Sequence, residues 1–344
     1  MNKPADKSQK GPPADYSTEA QIGLILSSSR RFVELLDNSG RIILGTLGSR
    51  KLEAVPGDVA SFTLRVTSET ETQAEVISVE NRKNLLQRSF EKKIKLLAAN
   101  LDALCIVTAP PPLFNTIAID RVIASALNEE IPVYLIANKY DLPNFDLLSN
   151  SLDYYEKIGI KIFKTSALDF IASESSVRHQ ELKKCRDKIR CALGKKPQGR
   201  YAFAGVSGVG KSTLLKALFP DYLTEQSLIK TGEVSYKTGQ GKQTTSAGRG
   251  YPINKPKLSE FPSIIIDLPG IQSFGISHLK IAGLHKGMND ILELSYHCKF
   301  SDCIHEQEPG CNVLKALESG ILPQSRYDSF RDMAKEINKA KDSW

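Results

Sequence analysis

Two short signals in this chain stand in an order that ordinary nucleotide-binding folds do not use. A glycine-rich loop reads Gly205-Val206-Ser207-Gly208-Val209-Gly210-Lys211-Ser212. A base-reading signal, Asn138-Lys139-Tyr140-Asp141, comes about seventy residues before it. Usually the phosphate loop comes first. A fold that accepts the reverse must bring both segments to one place although the chain connects them the other way round.

The loop has the context that phosphate binding needs. A strand, Tyr201 to Ala204, runs into it, and helix-forming Thr213 to Phe219 follows. Glycines let backbone N–H groups turn inward around phosphates, and the helix N-terminus adds a field that favours anions. The binding segment is expected to run from Gly205 through Thr213. Lys211 reaches the β- and γ-phosphates and Ser212 binds Mg²⁺.

The loop alone does not tell GTP from ATP. The Asp141 carboxylate can accept from the ring imino and exocyclic amino groups of guanine. Adenine would leave it facing an acceptor, and sites deprived of a required hydrogen bond reject strongly. Asn138 and Lys139 belong to the same signal, which ends a strand expected over Pro132 to Asn138. Thr165-Ser166-Ala167 follows another short strand, Ile160 to Lys164, and would place backbone near the base. Asp267 ends a strand over Ser263 to Asp267 and would hold Mg²⁺ through water. Gly270 would offer its N–H to the γ-phosphate. Gly241-Lys242-Gln243-Thr244-Thr245 lies in a Gly- and Ser-rich stretch suited to a switch that orders around γ-phosphate and Mg²⁺. Thr245 is the favoured metal-contacting hydroxyl and Thr244 the second choice. Together these signals imply a circularly permuted GTPase domain.

Around them the chain divides. Gln21 to Val79 reads as short strands punctuated by turns such as Asp37-Asn38-Ser39-Gly40 and Pro56-Gly57-Asp58. An OB-fold barrel is the economical choice, with an SH3-like barrel left open. Arg82 to Lys95 reads as a basic linker. Strands and helices then alternate, with a helix over Ile117 to Leu127 and a basic amphipathic one over Glu174 to Leu193. That pattern implies a mostly parallel sheet with its loops at the carboxyl edge. The expected fold is multidomain α/β. A disordered tail over 1–20 precedes an OB-fold over 21–85. A permuted P-loop GTPase domain covers 86–288, and a zinc-binding α domain with a closing helix, Gln324 to Lys341, covers 289–344.

The net charge of +7 suits a polyanionic partner. Its distribution sharpens the point: Arg82 to Lys95 carries six Lys/Arg against one Asp/Glu, and Glu181 to Glu260 sixteen against six. RNA contact is the favoured meaning of that excess. No run of eighteen apolar residues is present, so no membrane span is expected, and polar Met1 to Tyr16 lacks the apolar core of a secretory signal. The expected compartment is the cytoplasm, where the six cysteines are reduced thiols or metal ligands. Cys105 reads as core, and Cys185 and Cys191 as structural residues of one helix. Cys298, Cys303, His305 and Cys311 crowd into fourteen residues. Three thiolates and an imidazole suit a closed, structural, tetrahedral Zn²⁺ site. His297 and Glu308 are conceivable substitutes for one ligand.

The order of base signal, phosphate loop, threonine loop and Asp267-Leu268-Pro269-Gly270 resembles the ribosome small-subunit-dependent GTPase A family (RsgA, also called YjeQ). The resemblance runs from about residue 21 to 335. It extends to Ala99-Asn100-Leu101-Asp102, Ile119-Asp120-Arg121, Phe274-Gly275 and His278-Leu279, and to the Cys/His spacing. It implies an N-terminal OB-fold, a C-terminal zinc domain and a role late in small-subunit assembly. Its implied partners are GTP and GDP, the small subunit and its rRNA, and its hydrolysis is stimulated by the subunit. A monomer is the default expectation. Two positions bear on catalysis. Ile271 stands where Ras-like enzymes carry a water-orienting glutamine, which is normal for the family and implies slow unstimulated hydrolysis. Gln243 stands where many members carry a histidine. A glutamine can orient water but cannot act as a base near neutral pH, so Gln243 is read as the water-orienting residue, beside Lys211 and Thr245. The competing reading is an RNA-binding assembly scaffold with a structural nucleotide and negligible turnover. The Lys211 and threonine signals weigh against it. A permuted GTPase of the large subunit is disfavoured by the N-terminal barrel and the Cys/His cluster. Chain order places a barrel and a zinc segment on either side of the GTPase domain, so that nucleotide state could set the posture of both.

Overall fold

A computed structural model describes residues 19–66, 72–90, 93–168, 177–194, 198–220, 248–255 and 260–341. Met1 to Tyr16 and the threonine loop, with Gln243, Thr244 and Thr245, lie outside the described residues.

Five strands form the N-terminal barrel: β1 (Gln21–Ser29), β2 (Phe32–Asp37), β3 (Ile42–Leu47), β4 (Val59–Val66) and β5 (Thr72–Val79). β1, β2 and β3 form an antiparallel meander, and the Asp37 carboxylate shapes its second turn by accepting from the amides of Ser39 and Arg41 at 2.9 and 2.8 Å. β3 then pairs with β5 in parallel, β5 with β4, and β4 closes on β1. The parallel β3–β5 pair and this closure give the OB arrangement and decide against an SH3-like one. Ile25, Val33, Leu35, Phe62 and Val76 fill the interior.

Arg82 to Lys95 corrects the reading as a linker. β6 (Leu85–Phe90) and β7 (Lys93–Ala99) form a two-stranded antiparallel sheet of their own. A register shift between Leu86 and Gln87 breaks the simple alternation that would have marked β6 as a strand. At the root of this hairpin Arg82 donates to both oxygens of the fully buried Asp58 at 2.8 Å, tying it to the barrel.

The α/β part contains β8 (Ala103–Thr108), α1 (Thr116–Asn128), β9 (Val133–Ala137), a 3-10 turn (Phe145–Leu148), α2 (Ser149–Lys157), β10 (Lys161–Lys164) and α3 (Val177–Gly194). β11 (Arg200–Gly205), α4 (Lys211–Leu218), β12 (Arg249–Pro252) and β13 (Ile264–Asp267) complete it. The sheet order is β10-β9-β8-β11-β13-β12, parallel except for β12. β12 also meets β1 of the barrel through the pair Ser27 and Arg249. All six residues of β8 are buried, as a strand covered on both faces requires. Asn115 caps α1 by accepting from the Ala118 amide at 3.0 Å.

The C-terminal segment consists of α5 (Ile281–Gly287), α6 (Asn289–Ser295), α7 (Asn312–Glu318) and α8 (Gln324–Lys341). Val313, Leu322, Phe330, Met333 and Ile337 join the same cluster as Ile119, Val122 and Ile123 of α1. A buried ion-pair network locks this junction. Arg326 of α8, 2% exposed, donates to Asp120 of α1 at 2.6 Å and to both oxygens of Asp290 of α6 at 2.8 and 3.0 Å. The hydroxyls of Tyr155 and Tyr154 on α2 donate to the same two carboxylates, each at 2.8 Å.

Removing one member of such a network leaves opposite charges buried alone. Arg326→Ala is expected to destabilise the protein by about 3–5 kcal/mol in urea unfolding. Arg326→Lys should recover only part of this, because one ammonium cannot serve two carboxylates as a guanidinium fork does.

Candidate functional site

In a parallel sheet every strand delivers its following loop to the same edge. Gly205 stands opposite Val107, Thr108 opposite Ala137, and Ala137 opposite Lys164. The loops after β9, β10 and β11 therefore emerge side by side, and β13, ending at Asp267 beside Phe203, adds a fourth. These four loops hold Asn138 to Asp141, Thr165 to Ala167, Val206 to Gly210, and Asp267 to Gly270.

Asn138 welds three of them. Its side chain is 1% exposed. Its amide donates to Val209 O in the glycine loop at 2.8 Å. Its carbonyl oxygen accepts from Thr165 Oγ1 and the Ala167 amide, each at 3.1 Å. The Tyr140 amide donates to Thr165 O at 2.9 Å, and Lys139 takes a left-handed turn with φ of 62°. That turn carries half-buried Asp141 out toward the same edge. Thr165, Ser166 and Ala167 are buried.

The glycine loop is built for close approach. Gly210 has φ of 86°, and a Cβ there would lie 2.6 Å from Asn138 Nδ2, so only glycine fits both the turn and the weld. Gly210 is also the N-cap of α4, and no side chain caps that helix, which leaves its first amides turned to the loop. Ser207 and Gly208 are exposed, Val206 is half-buried and Val209 is buried. Ser212 is exposed and Thr213 half-buried on the first turn of α4. The Lys211 ammonium touches Asp267 Oδ1 and lies 3.0 Å from Leu268 O. Burial pushes this ammonium down to about 8, and the carboxylate against it works the other way. Gly270 is exposed and faces β11: a Cβ on it would lie 3.9 Å from Gly205 O. Ile271 is buried, 3% exposed, and faces the core. An unexpected neighbour is Arg88 of the hairpin, whose Nη1 lies 3.5 Å from Gly270 O. Nothing in the sequence links residues so far apart.

A second cluster stands beside α7. One ligand atom from each of Cys298, Cys303, His305 and Cys311 lies within 4.8 Å of the others. The Cys298 and Cys311 sulfurs are 3.9 Å apart, and His305 Nδ1 is 3.6 and 3.4 Å from them. A tetrahedral site with Zn–S near 2.3 Å and Zn–N near 2.0 Å has edges of about 3.5–3.8 Å, so the donor set fits such a cation. A φ of 61° at His305 turns the ring inward, and the Tyr327 hydroxyl donates to His305 O at 2.6 Å. The amides of Asn312 and Leu314 point at the Cys298 and Cys311 sulfurs at 3.3 and 3.5 Å. His297 is exposed and outside the cluster. The Glu308 carboxylate accepts instead from the amides of Ile304, Glu306 and Gln307 at 2.9, 2.8 and 3.1 Å, holding the ligand loop in shape. Cys105, Cys185 and Cys191 lie elsewhere; Cys105 is fully buried in β8, and Cys185 Sγ lies 3.2 Å from Lys164 O.

Comparison with known proteins agrees with this architecture. A family model described as RsgA GTPase matches residues 79–277. The small ribosomal subunit biogenesis GTPase RsgA of Phocaeicola vulgatus is 33% identical over 332 residues, covering 93% of this chain and 98% of its own. The protein of the same name from Bordetella pertussis is 33% identical over 315 residues, covering 90% and 94%. Among solved structures, YjeQ from Thermotoga maritima is similar with a TM-score of 0.63 and 25% identity, over 93% of this chain and 99% of that one. YloQ, a circularly permuted GTPase, is similar in fold with a TM-score of 0.58 and 22% identity, over 94% and 96%.

The cluster geometry makes a direct prediction about metal content. Elemental analysis of the purified protein should find one transition-metal ion per chain, and Cys303→Ala should lose it. Retention of that ion by the variant would show that these four residues are not its ligands.

Proposed function

The chain belongs to the RsgA GTPase family, and from that premise we propose that it hydrolyses GTP on the maturing small ribosomal subunit, contacts rRNA there, and is accelerated by the subunit. It is a GTPase of small-subunit biogenesis. The observation that carries it is the weld at Asn138, which holds a base-reading loop against a phosphate loop although the chain connects them in reverse.

In this reading the Asp141 carboxylate accepts from guanine, and Asn138, Lys139 and Thr165 to Ala167 frame the base. The backbone from Gly205 to Thr213 wraps the phosphates. Lys211 exchanges the Asp267 carboxylate for phosphate oxygens, a swap between two anionic partners that keeps a partly buried ammonium paired throughout. The Gly270 amide faces the γ-phosphate. Ser212 and Thr245 would hold Mg²⁺ directly and Asp267 through water; when bound, the ion neutralises charge on the β- and γ-phosphates. Gln243 orients the attacking water by hydrogen bonding. Buried Ile271 leaves no side chain to do so from the other loop. The Cys298, Cys303, His305 and Cys311 site would hold one structural Zn²⁺. Exposed Phe32, Ile42 and Leu44 on β2 and β3, with Arg30 and Arg31 in the turn beside them, support rRNA contact by the barrel. We further propose that the barrel, the permuted domain and the metal-binding segment divide the chain near residues 85 and 288.

GTP turnover should rise strongly with isolated small subunits and not with large ones. Equal response to both, or to neither, would sink the subunit assignment. Asp141→Asn should weaken GTP binding by at least about a hundredfold and let xanthosine triphosphate bind instead, because the new amide donates where the carboxylate accepted. Gln243→Ala should lower subunit-stimulated kcat by about a hundredfold with little change in nucleotide affinity, the scale of a misplaced reactant. A wild-type rate in that variant would remove Gln243 from the mechanism.

A further inference from the structure

The segment after Asp267-Leu268-Pro269-Gly270 is held from two sides by parts of the chain that carry no nucleotide signal. From the hairpin, the Ser89 amide donates to Gly275 O at 2.9 Å, and Ser89 Oγ accepts from the Ser277 amide at 2.8 Å. The approach is so close that a Cβ on Gly275 would lie 2.5 Å from Ser89 O. From α8, the Glu336 carboxylate accepts from the Ile276 amide at 2.7 Å and pairs with Arg121 of α1. Arg121 Nη1 in turn lies 3.4 Å from Phe274 O.

Between the end of β13 and this double pin there is little slack. Leu268, Ile271, Phe274 and Ile276 are all buried in the core. Gly270, Gln272 and Ser273 are the exposed positions from Leu268 to Ile276. Arg88, next to Ser89 on the same strand, lies 3.5 Å from Gly270 O. Two consecutive hairpin residues thus meet both ends of the segment from Gly270 to Gly275. Backbone anchored in this way transmits displacement rather than absorbing it.

We propose that Ser89 and Glu336 are positioning residues of the nucleotide site: by pinning residues 275–277 to the hairpin and to α8, they set the Gly270 amide for the γ-phosphate. The proposal rests on the GTPase reading above and deepens it. The pins act only on the loop that meets the third phosphate. Asn138, Asp141 and the glycine loop are held by other bonds, so GDP does not sense them. The same pins tie discrimination between GTP and GDP to the seating of the hairpin and of the C-terminal helix.

The test uses the full chain with its metal bound, and the variants Ser89→Ala, Glu336→Ala and Glu336→Gln. Affinities for GDP, for a non-hydrolysable GTP analogue and for the matching ATP analogue are measured by fluorescence, together with melting temperature. Glu336→Ala should weaken the GTP analogue by about tenfold, the scale of one hydrogen bond to a charged group, and leave GDP within about twofold. Glu336→Gln, which still accepts from Ile276, should recover part of that loss, and Ser89→Ala should move in the same direction as Glu336→Ala. Unchanged discrimination between the GTP analogue and GDP in all three variants would overturn the proposal, whether their melting temperatures fall or not. Wild-type protein that binds the ATP analogue as well as the GTP analogue would overturn the guanine reading itself, and the proposal with it.

Discussion

The parallel pairing of β11 between β8 and β13 is the constraint on which the rest depends. Parallel strands in one register send their carboxyl ends to one edge whatever order the chain visits them in. The loops after β9, β10, β11 and β13 meet there because Lys164 pairs with Ala137, Ala137 with Thr108, Gly205 with Val107 and Asp267 with Phe203. Permutation changes which loops cross the faces and leaves that edge intact. The Asn138 side chain then turns proximity into a fixed geometry. It is buried, and both its amide and its oxygen are satisfied, by Val209 on one side and by Thr165 and Ala167 on the other. A buried amide with its partners in place costs little, whereas one that loses a partner is expensive. The loop from Asn138 to Asp141 is therefore held firmly at one distance from the glycine loop.

The ends that permutation creates are held by charge. Arg82 and Asp58 join the hairpin root to the barrel, and Arg326 joins α8 to Asp120 and Asp290. Pairs this buried gain little over an apolar contact of the same shape, but they tolerate few alternatives. Ridges of leucine and isoleucine pack in several registers; a guanidinium fork between two carboxylates and two tyrosine hydroxyls packs in one. That specificity suits a segment that reaches past α1 and sets Glu336 against the Ile276 amide. The Lys211 and Asp267 pair is of another kind. It lies at the carboxyl edge of the sheet and is partly open to solvent.

Much of the site was legible because its chemistry is local in sequence. A glycine loop between a strand and a helix, a four-residue base signal, and four metal donors in fourteen positions each carry their meaning within a short window. The barrel was legible from turns and strand lengths, but its closure was not, since the parallel β3–β5 pair is a long-range choice. The hairpin was misread as a linker. Its lysines and arginines gave it a charged composition, and the shift at Leu86 and Gln87 erased its period. The core of the C-terminal segment was hidden for a related reason. Val313, Leu322, Phe330 and Met333 look sparse along the chain and become a core only against Ile119, Val122 and Ile123.

What the sequence determined by itself was the set of chemical groups: a glycine loop before a helix, a carboxylate at 141 close after Asn138, and three thiols and an imidazole within fourteen residues. Those follow from residue type and short spacing, because functional groups a few residues apart on a strand end or tight turn have few other places to go. What only the tertiary structure decided was how the pieces are coupled. Asn138 against Val209, Arg88 near Gly270, Ser89 against Gly275 and Glu336 against Ile276 join residues 60 to more than 180 apart. No local pattern encodes such pairs. They exist because sheet register and the buried Arg326 network bring those backbones within hydrogen-bonding distance.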